Sequence, residues 1–367
     1  MHMLEVFLNV TGGCNLNCRY CYEKDRMTEK QHPLSVCNYT INDVLKLLEK
    51  LSEYKDSIYV YFYGGEPTLK PKLLDEWSSK IKEKYPGVYQ VLHTNGLLLD
   101  TLPKSFFDNI EVILLSVNME SKIAYGSRDF YVATVRKNIE WIRNIIEIPV
   151  ILRLTYTSDS HFLETCFLFE DISDAIYWQI NSIQDNDIEQ TMLNYYTDIS
   201  MLMNKWFSQL QKPTNLQYIP FDYAFLVTSN TSEFKEDTAP CGFGRSILFV
   251  DLDGAIYACP EMVHYAEEKI GHIKTGFDLK PTNDMFIEIL EECSNCIAKT
   301  YCRTRCPNMH LKSSIDTQKH ICTVTRNILE DFLRYKEKLD DSVKKRYLSR
   351  IRAPQIRRFM GTVECVP

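Results

Sequence analysis

The stretch Ile58-Tyr59-Val60-Tyr61-Phe62-Tyr63-Gly64-Gly65-Glu66-Pro67 decides the fold. Six apolar and aromatic residues in a row read as a strand covered on both faces, as in a parallel sheet. Two glycines and a proline then break it. The same pattern recurs outward. Leu4–Val10 reads as a strand running into a cysteine group, and Val88–His93, Glu111–Val117, Val150–Leu154 and Ala175–Ile180 read as four more. Between them lie helical patterns over 42–54, 73–85 and 132–146; in the first, Val44, Leu45, Leu47, Leu48 and Leu51 share a face. Six strands alternating with helices predict an α/β architecture, a partial (β/α)6 barrel open where a closed barrel has eight strands. Such folds place their chemistry at the C-terminal ends of the strands. Cys14, Gly64, Thr94 and Ser116 fall at those ends.

The 367 residues are 45% hydrophobic and 25% charged, a globular composition that excludes a disordered or fibrous chain. No run approaches the roughly 18 apolar residues of a membrane helix, and the start lacks a secretory pattern, so a cytoplasmic chain is expected. Residues 331–360 hold ten Lys/Arg and four Asp/Glu, whereas residues 1–330 hold 32 basic and 44 acidic residues. An acidic body argues against nucleic-acid binding. The basic tail reads first as a solvated helix face, and second as an attractor for an acidic peptide.

Thirteen cysteines in a reducing compartment are not a disulfide framework. Cys14, Cys18 and Cys21 form a C-x3-C-x2-C loop. Three thiolates leave one iron of a four-iron cluster open, as a catalytic zinc keeps one position free. By spacing alone, zinc with His32 or Cys37 as fourth ligand remains open. Cys37, Cys166 and Cys365 read as plain thiols. The second group is Cys241, Cys259, Cys293, Cys296, Cys302, Cys306 and Cys322, with little apolar sequence between them, so ligation stands in for a core. Residues 247–257 read as a hairpin turning at Asp253-Gly254, and a helix is predicted over 323–338. The expected organisation is a barrel over 1–215, a proline-bearing linker over 216–240, a cysteine-rich domain over 241–330 and a basic helical tail over 331–367.

These motifs resemble the radical S-adenosylmethionine (radical SAM) enzymes. That family shares the three-cysteine loop after the first strand, with an aromatic before the last cysteine, here Tyr20. It also shares the Gly64-Gly65-Glu66-Pro67 segment, which there meets the amino group of the cofactor. Thr94-Asn95-Gly96 looks like the family's segment after the third strand. Ser116 and Asn118 fall where a Ser-x-Asp pair lies near the ribose, with Asn118 replacing the acid. Arg153 resembles an arginine near the cofactor carboxylate. For Ser116, Asn118 and Arg153 a satisfied polar group at a strand end is the plainer reading. The second cysteine group, with Gly254, resembles the SPASM domain of the same superfamily. The resemblance implies one auxiliary four-iron cluster on Cys293, Cys296, Cys302 and Cys322. It implies another on Cys241, Cys259 and Cys306, whose fourth ligand is not evident.

The implied chemistry is reductive cleavage of S-adenosylmethionine on the Cys14, Cys18, Cys21 cluster, giving a 5′-deoxyadenosyl radical that takes hydrogen from a substrate. Cluster potentials span roughly −700 to +450 mV; the cleavage needs the low end, hence a flavodoxin- or ferredoxin-type donor. SPASM relatives mostly modify peptides, so a cross-linked ribosomal precursor peptide is expected. A sulfatase-maturing enzyme that forms formylglycine is the alternative. There an Asp follows the cysteine matching Cys259; here Pro260 follows, with Glu261 next as a candidate acid/base. A capping or solvated carboxylate is the plainer role for Glu261. The first strand begins at once, so a leader peptide would need a stand-alone binding protein, the surface of this chain or its tail, where Lys344, Lys345 and Arg346 lie. A non-enzymatic iron–sulfur or zinc scaffold is the remaining alternative.

Overall fold

The computed structural model describes residues 3–23, 36–52, 57–119, 127–181, 187–210, 216–229, 241–243, 246–277, 291–303 and 305–352. Six strand–helix repeats fill its first 210 residues. They are β1 (Met3–Asn9), α1 (Ile41–Ser52), β2 (Ser57–Tyr63), α2 (Pro71–Lys84), β3 (Tyr89–Thr94), α3 (Lys104–Phe107), β4 (Val112–Ser116), α4 (Arg128–Ile145), β5 (Val150–Tyr156), α5 (Phe162–Phe169), β6 (Ala175–Ile180) and α6 (Ile188–Gln209). This is the α/β partial barrel that the alternating pattern predicts. Among the described residues no helix is long and apolar enough to cross a membrane.

The chain divides into two compact units, residues 1–152 with 243–284, and residues 153–242 with 285–367. In the first, β1, β2, β3 and β4 pair in parallel, with Val6 opposite Val60, Tyr61 opposite Val91 and Leu92 opposite Ile113. Val6, Val60, Val91, Leu92 and Ile113 are fully buried, which is why the strands read as apolar runs rather than alternating ones. Helix α1 starts where Thr40 and Asp43 cap each other: the Thr40 amide and hydroxyl donate to Asp43 Oδ2, and the Asp43 amide donates back to Thr40 Oγ1. It buries Val44, Leu47, Leu48 and Leu51, each contributing roughly 2 kcal/mol by leaving water.

The predicted hairpin is present as β8 (Ile247–Val250) and β9 (Ala255–Tyr257), which follow the short β7 (Gln217–Tyr218), and Gly254 turns it with φ +90°. It belongs to this first unit, where β8 lies parallel beside β1, and β10 (Lys269–His272) and β11 (Gly276–Phe277) extend that side antiparallel. The sequence grouped residues 241–330 together; the compact units divide that stretch.

In the second unit β5 from Arg153 onward, β6 and β7 (Gln217–Tyr218) are neighbours, and α7 (Ile219–Val227) follows at once. Every residue of α7 is buried. The described part of 216–240 is therefore core structure, not linker; Pro220 stands in the first turn of α7, where a proline costs no hydrogen bond. Residues 230–240 lie outside the described residues. Short helices α8 (Lys299–Cys302) and α9 (Pro307–Lys312) precede α10 (Ile315–Glu337). Helix α10 begins eight residues before the predicted start, because Ser314 accepts from the Thr317 amide and caps it. Helix α11 (Asp341–Ile351) follows.

The tail to residue 352 is not a free basic arm. Tyr347 of α11 is buried and donates to the buried Asp222 of α7, and Trp206 Nε1 donates to Tyr347 Oη at 3.0 Å. Gln217 Nε2 donates to Asp222 at 2.9 Å, while Arg346 and Arg350 donate to the carbonyls of Leu210 and Leu216. Lys344 pairs with Asp341 at 3.2 Å. Lys345 is exposed.

Candidate functional site

The three cysteines of the first group lie on the loop after β1, and that loop meets the end of β2 through backbone hydrogen bonds. The Gly65 amide donates to the Thr11 carbonyl at 2.7 Å, and the Glu66 amide donates to Gly13 at 2.8 Å. This contact explains the glycines. A Cβ on Gly65 would lie 2.3 Å from the Gly13 oxygen. One on Gly64, whose φ is +145°, would lie 2.4 Å from Thr11. The close approach that the glycines permit is thus made by the cysteine loop itself.

Glu66 is 1% exposed and turned inward. Its Oε1 accepts from the Thr68 amide (3.1 Å), Thr68 Oγ1 (2.6 Å) and Thr94 Oγ1 (2.7 Å), and its Oε2 from the Asn95 amide (2.8 Å). Burial raises its carboxyl above the usual range, and these bonds from Asn95, Thr68 and Thr94 pull it back. The Gly64–Pro67 segment is expected to meet the cofactor's amino group; these internal bonds also let the Glu66 carboxylate fix the strand ends. Pro67 opens a short 3-10 turn behind it.

The chain of contacts continues into the cysteine loop. Asn95 Nδ2 donates to Asn15 Oδ1 at 2.7 Å, between Cys14 and Cys18. On the other flank Asn118 Nδ2, beyond β4, donates to the Tyr20 hydroxyl beside Cys21. The loop is therefore tied to the ends of β2, β3 and β4. Ser116 closes β4, half-buried. Asn138, buried on α4, donates to the carbonyls of Gly96 and Leu97 at 2.9 and 3.0 Å and fixes the turn after β3. Asn15, Thr68 and Asn138 were not singled out from the sequence. A polar residue in the middle of an apolar helix face, as at Asn138, was the available signal.

Burial raises the Cys14 thiol to about 11; the Leu16 amide lowers it, while Glu66 and then Cys21 raise it further. In the second unit burial raises Cys293 first, and Cys322, Cys302 and Cys296 raise it further. Those four are the thiols grouped from the sequence, now within electrostatic reach of one another. Among the described residues no three His, Cys, Asp or Glu side chains gather closely enough for a single metal ion. A four-iron cluster takes four thiolates, one at each iron corner, so these four residues fit one; a structural zinc takes the same donor set.

Other candidates lie on other elements. Arg153 of β5, in the second unit, donates to Gln179 Oε1 at 2.6 Å and lies over the Tyr177 ring. Cys241 and Cys306 belong to the second unit and Cys259 to the first. Glu261 lies half-buried in the 3-10 turn Pro260–His264 that follows Cys259. Cys37 Sγ donates to the Tyr39 carbonyl, and Cys166 is buried on α5. His32 and Cys365 lie outside the described residues.

A family model described as the Radical SAM superfamily matches residues 8–168. A Methanocaldococcus jannaschii protein named for glycyl-radical enzyme activation is 35% identical over 114 residues, which is 30% of this chain and 38% of that protein. The GTP 3′,8-cyclase of Staphylococcus aureus is 22% identical over 274 residues, 70% of this chain and 78% of that enzyme. Among solved structures, anSMEcpe with bound AdoMet shares the fold at TM-score 0.67 and 17% identity, over 96% of this chain and 99% of that one. Streptococcus suis SuiB bound to S-adenosylmethionine does so at TM-score 0.57 and 16% identity, over 85% and 75% of the two chains. The Radical SAM model thus matches residues 8–168, under half of this chain, and the two solved structures share its fold.

Proposed function

We propose that this protein is a radical SAM enzyme whose substrate is a peptide, a ribosomal precursor that it cross-links. The observation that carries the cofactor part is the three-thiol loop tied to three adjacent strand ends through Gly65, Asn95 and Asn118. When bound, the cluster and S-adenosylmethionine supply a 5′-deoxyadenosyl radical able to remove hydrogen from a substrate carbon. The chain's own part is to hold and orient. Cys14, Cys18 and Cys21 would carry the iron. The strand-end residues Gly64 to Pro67, Thr94 and Asn95 would frame the cofactor, with Tyr20, Ser116 and Asn118 on the β4 side. A reactive carbon must lie within about 3–3.5 Å of its target, which is why so rigidly tied a loop suits this chemistry.

The peptide substrate rests on the seven-cysteine spacing of the second group. Cys293, Cys296, Cys302 and Cys322 would hold one auxiliary cluster, and Cys241, Cys259 and Cys306 another. Glu261 is the candidate acid/base beside Cys259. A flavodoxin- or ferredoxin-type protein would supply electrons, and a stand-alone leader-binding protein could present the peptide. Tandem mass spectrometry of a short peptide encoded beside the gene, co-expressed anaerobically, tests this. Loss of two hydrogens per event, with fragmentation blocked across one segment, is expected. An unmodified peptide, together with formylglycine in an added sulfatase peptide, would reverse the substrate assignment.

A further inference from the structure

Between Cys302 and Cys306 the chain does something that side chains resist. Arg303 and Arg305 have φ of 48° and 67°, and among the described residues they are the two non-glycines with positive φ. Glycine takes that conformation without strain; arginine does not. Strain of this kind persists where the surroundings fix it, and it clusters at functional sites.

Arg305 is also 4% exposed. Its amide donates to the Cys302 carbonyl at 3.0 Å. The guanidinium hydrogen-bonds the Cys302 thiol and donates to Thr325 Oγ1. Thr325 lies on α10 three residues after Cys322, on the same side of the helix. The guanidinium therefore spans from one thiol of the four to the helix face that carries another. Its charge reaches Tyr195 and Tyr301 as well.

Four thiolates outweigh the positive charge of a four-iron core, so such a cluster is an anion, and one-electron reduction makes it more negative. Potentials of iron–sulfur clusters are set by net charge, hydrogen bonds to sulfur and solvent exposure. Arg305 supplies the first two at Cys302.

We propose that Arg305 sets the reduction potential of a cluster held by Cys293, Cys296, Cys302 and Cys322, its guanidinium favouring the one-electron-reduced form. The assignment rests on the cluster reading of those four cysteines. The oxidised cluster gains one electron from an external reductant, no bond is made or broken, and the added charge is stabilised in place. Arg305 acts here as a positioning and charge-bearing residue.

The test is an anaerobic dithionite redox titration followed by electron paramagnetic resonance. The full chain carries Cys14→Ala, Cys18→Ala and Cys21→Ala, which removes the first cluster's signal. Loss of a signal in Cys322→Ala assigns it to the four thiols. Arg305→Gly suits the positive φ, so it removes the charge while relaxing the backbone. Its midpoint should fall by at least a tenfold change in the reduced-to-oxidised ratio, about 59 mV for one electron. Arg305→Lys, which keeps the charge without the planar fork, should fall less. An assembled cluster with the wild-type potential in Arg305→Gly overturns the assignment. Should Arg305→Gly fail to load iron, Arg305→Gln, which also removes the charge, decides: an unchanged midpoint there overturns it equally. A wild-type chain with no signal dependent on Cys322 overturns the cluster reading and the assignment together.

Discussion

Glu66 shows how one residue joins the motifs. Read as sequence, it belongs to a Gly-Gly-Glu-Pro turn, and its neighbours explain it as a cofactor contact. In the structure its two oxygens collect four donors from Thr68, Thr94 and Asn95, and Asn95 hands the connection on to Asn15 in the cysteine loop. Glu66→Gln keeps the shape but turns an acceptor into a donor facing donors. Hydrogen bonds to a charged group contribute about 1.5–3 kcal/mol each. The variant should lose roughly 3 kcal/mol of stability and hold less iron at the first loop, read by urea unfolding and iron content per chain. Wild-type values of both would show that the network does not position the loop. The presence of the cysteines, glycines and Glu66 was legible in the sequence. The inward turn of Glu66 and the pairing of Asn15 with Asn95 were not, because each depends on two loops arriving together.

At the scale of elements, β1 to β6 were legible because a strand covered on both faces leaves an unbroken apolar run. Helix α7 was hidden by the same principle. A helix buried on every side has no polar face, so it shows no 3.6-residue period, and Pro220 made it read as linker. Helix α6 buries Thr191, Met192, Tyr195, Ile199, Leu202, Met203 and Trp206, a stripe partly made of polar-bearing side chains. The anchoring of α11 on α7 was not readable either, since a buried aspartate carries no periodic signal.

That anchor gives a pH prediction. Burial raises Asp222 from its ordinary 3.8 to about 7, against the hydrogen bond from Tyr347, the charge of Arg350 and the bond from Gln217. A carboxyl raised in the folded state contributes stability that is full below the ordinary carboxylate range and lost as pH rises through about 7. Between about pH 5 and pH 8 the wild type should therefore lose about 3 kcal/mol relative to Asp222→Asn. Urea unfolding of both proteins across that range measures it. A stability difference that stays constant with pH would show that Asp222 is already ionised in the folded protein.

For the whole molecule, two compact units divide the cysteines. The first unit carries the three-thiol loop on strand ends, and its tethers run through β2, β3 and β4. The second carries four thiols in mutual reach on α8, α10 and the turns beside them, with Arg305 folded against Cys302. The basic charge of residues 331–352 belongs largely to helices α10 and α11, whose buried faces complete the second unit. The grouping of the cysteines was legible from spacing. Their division between units was not, because the hairpin at 247–257 leaves its neighbours in sequence to pair with β1.

We propose that the Cys14, Cys18, Cys21 loop supports reductive cleavage of S-adenosylmethionine. Its most direct test is the anaerobic formation of 5′-deoxyadenosine by the reconstituted chain with dithionite, measured by liquid chromatography and mass spectrometry. The account predicts 5′-deoxyadenosine from the wild type and none above background when Cys14, Cys18 or Cys21 is replaced by Ala. An iron-loaded wild type that forms none, or cysteine variants that form as much, would contradict it.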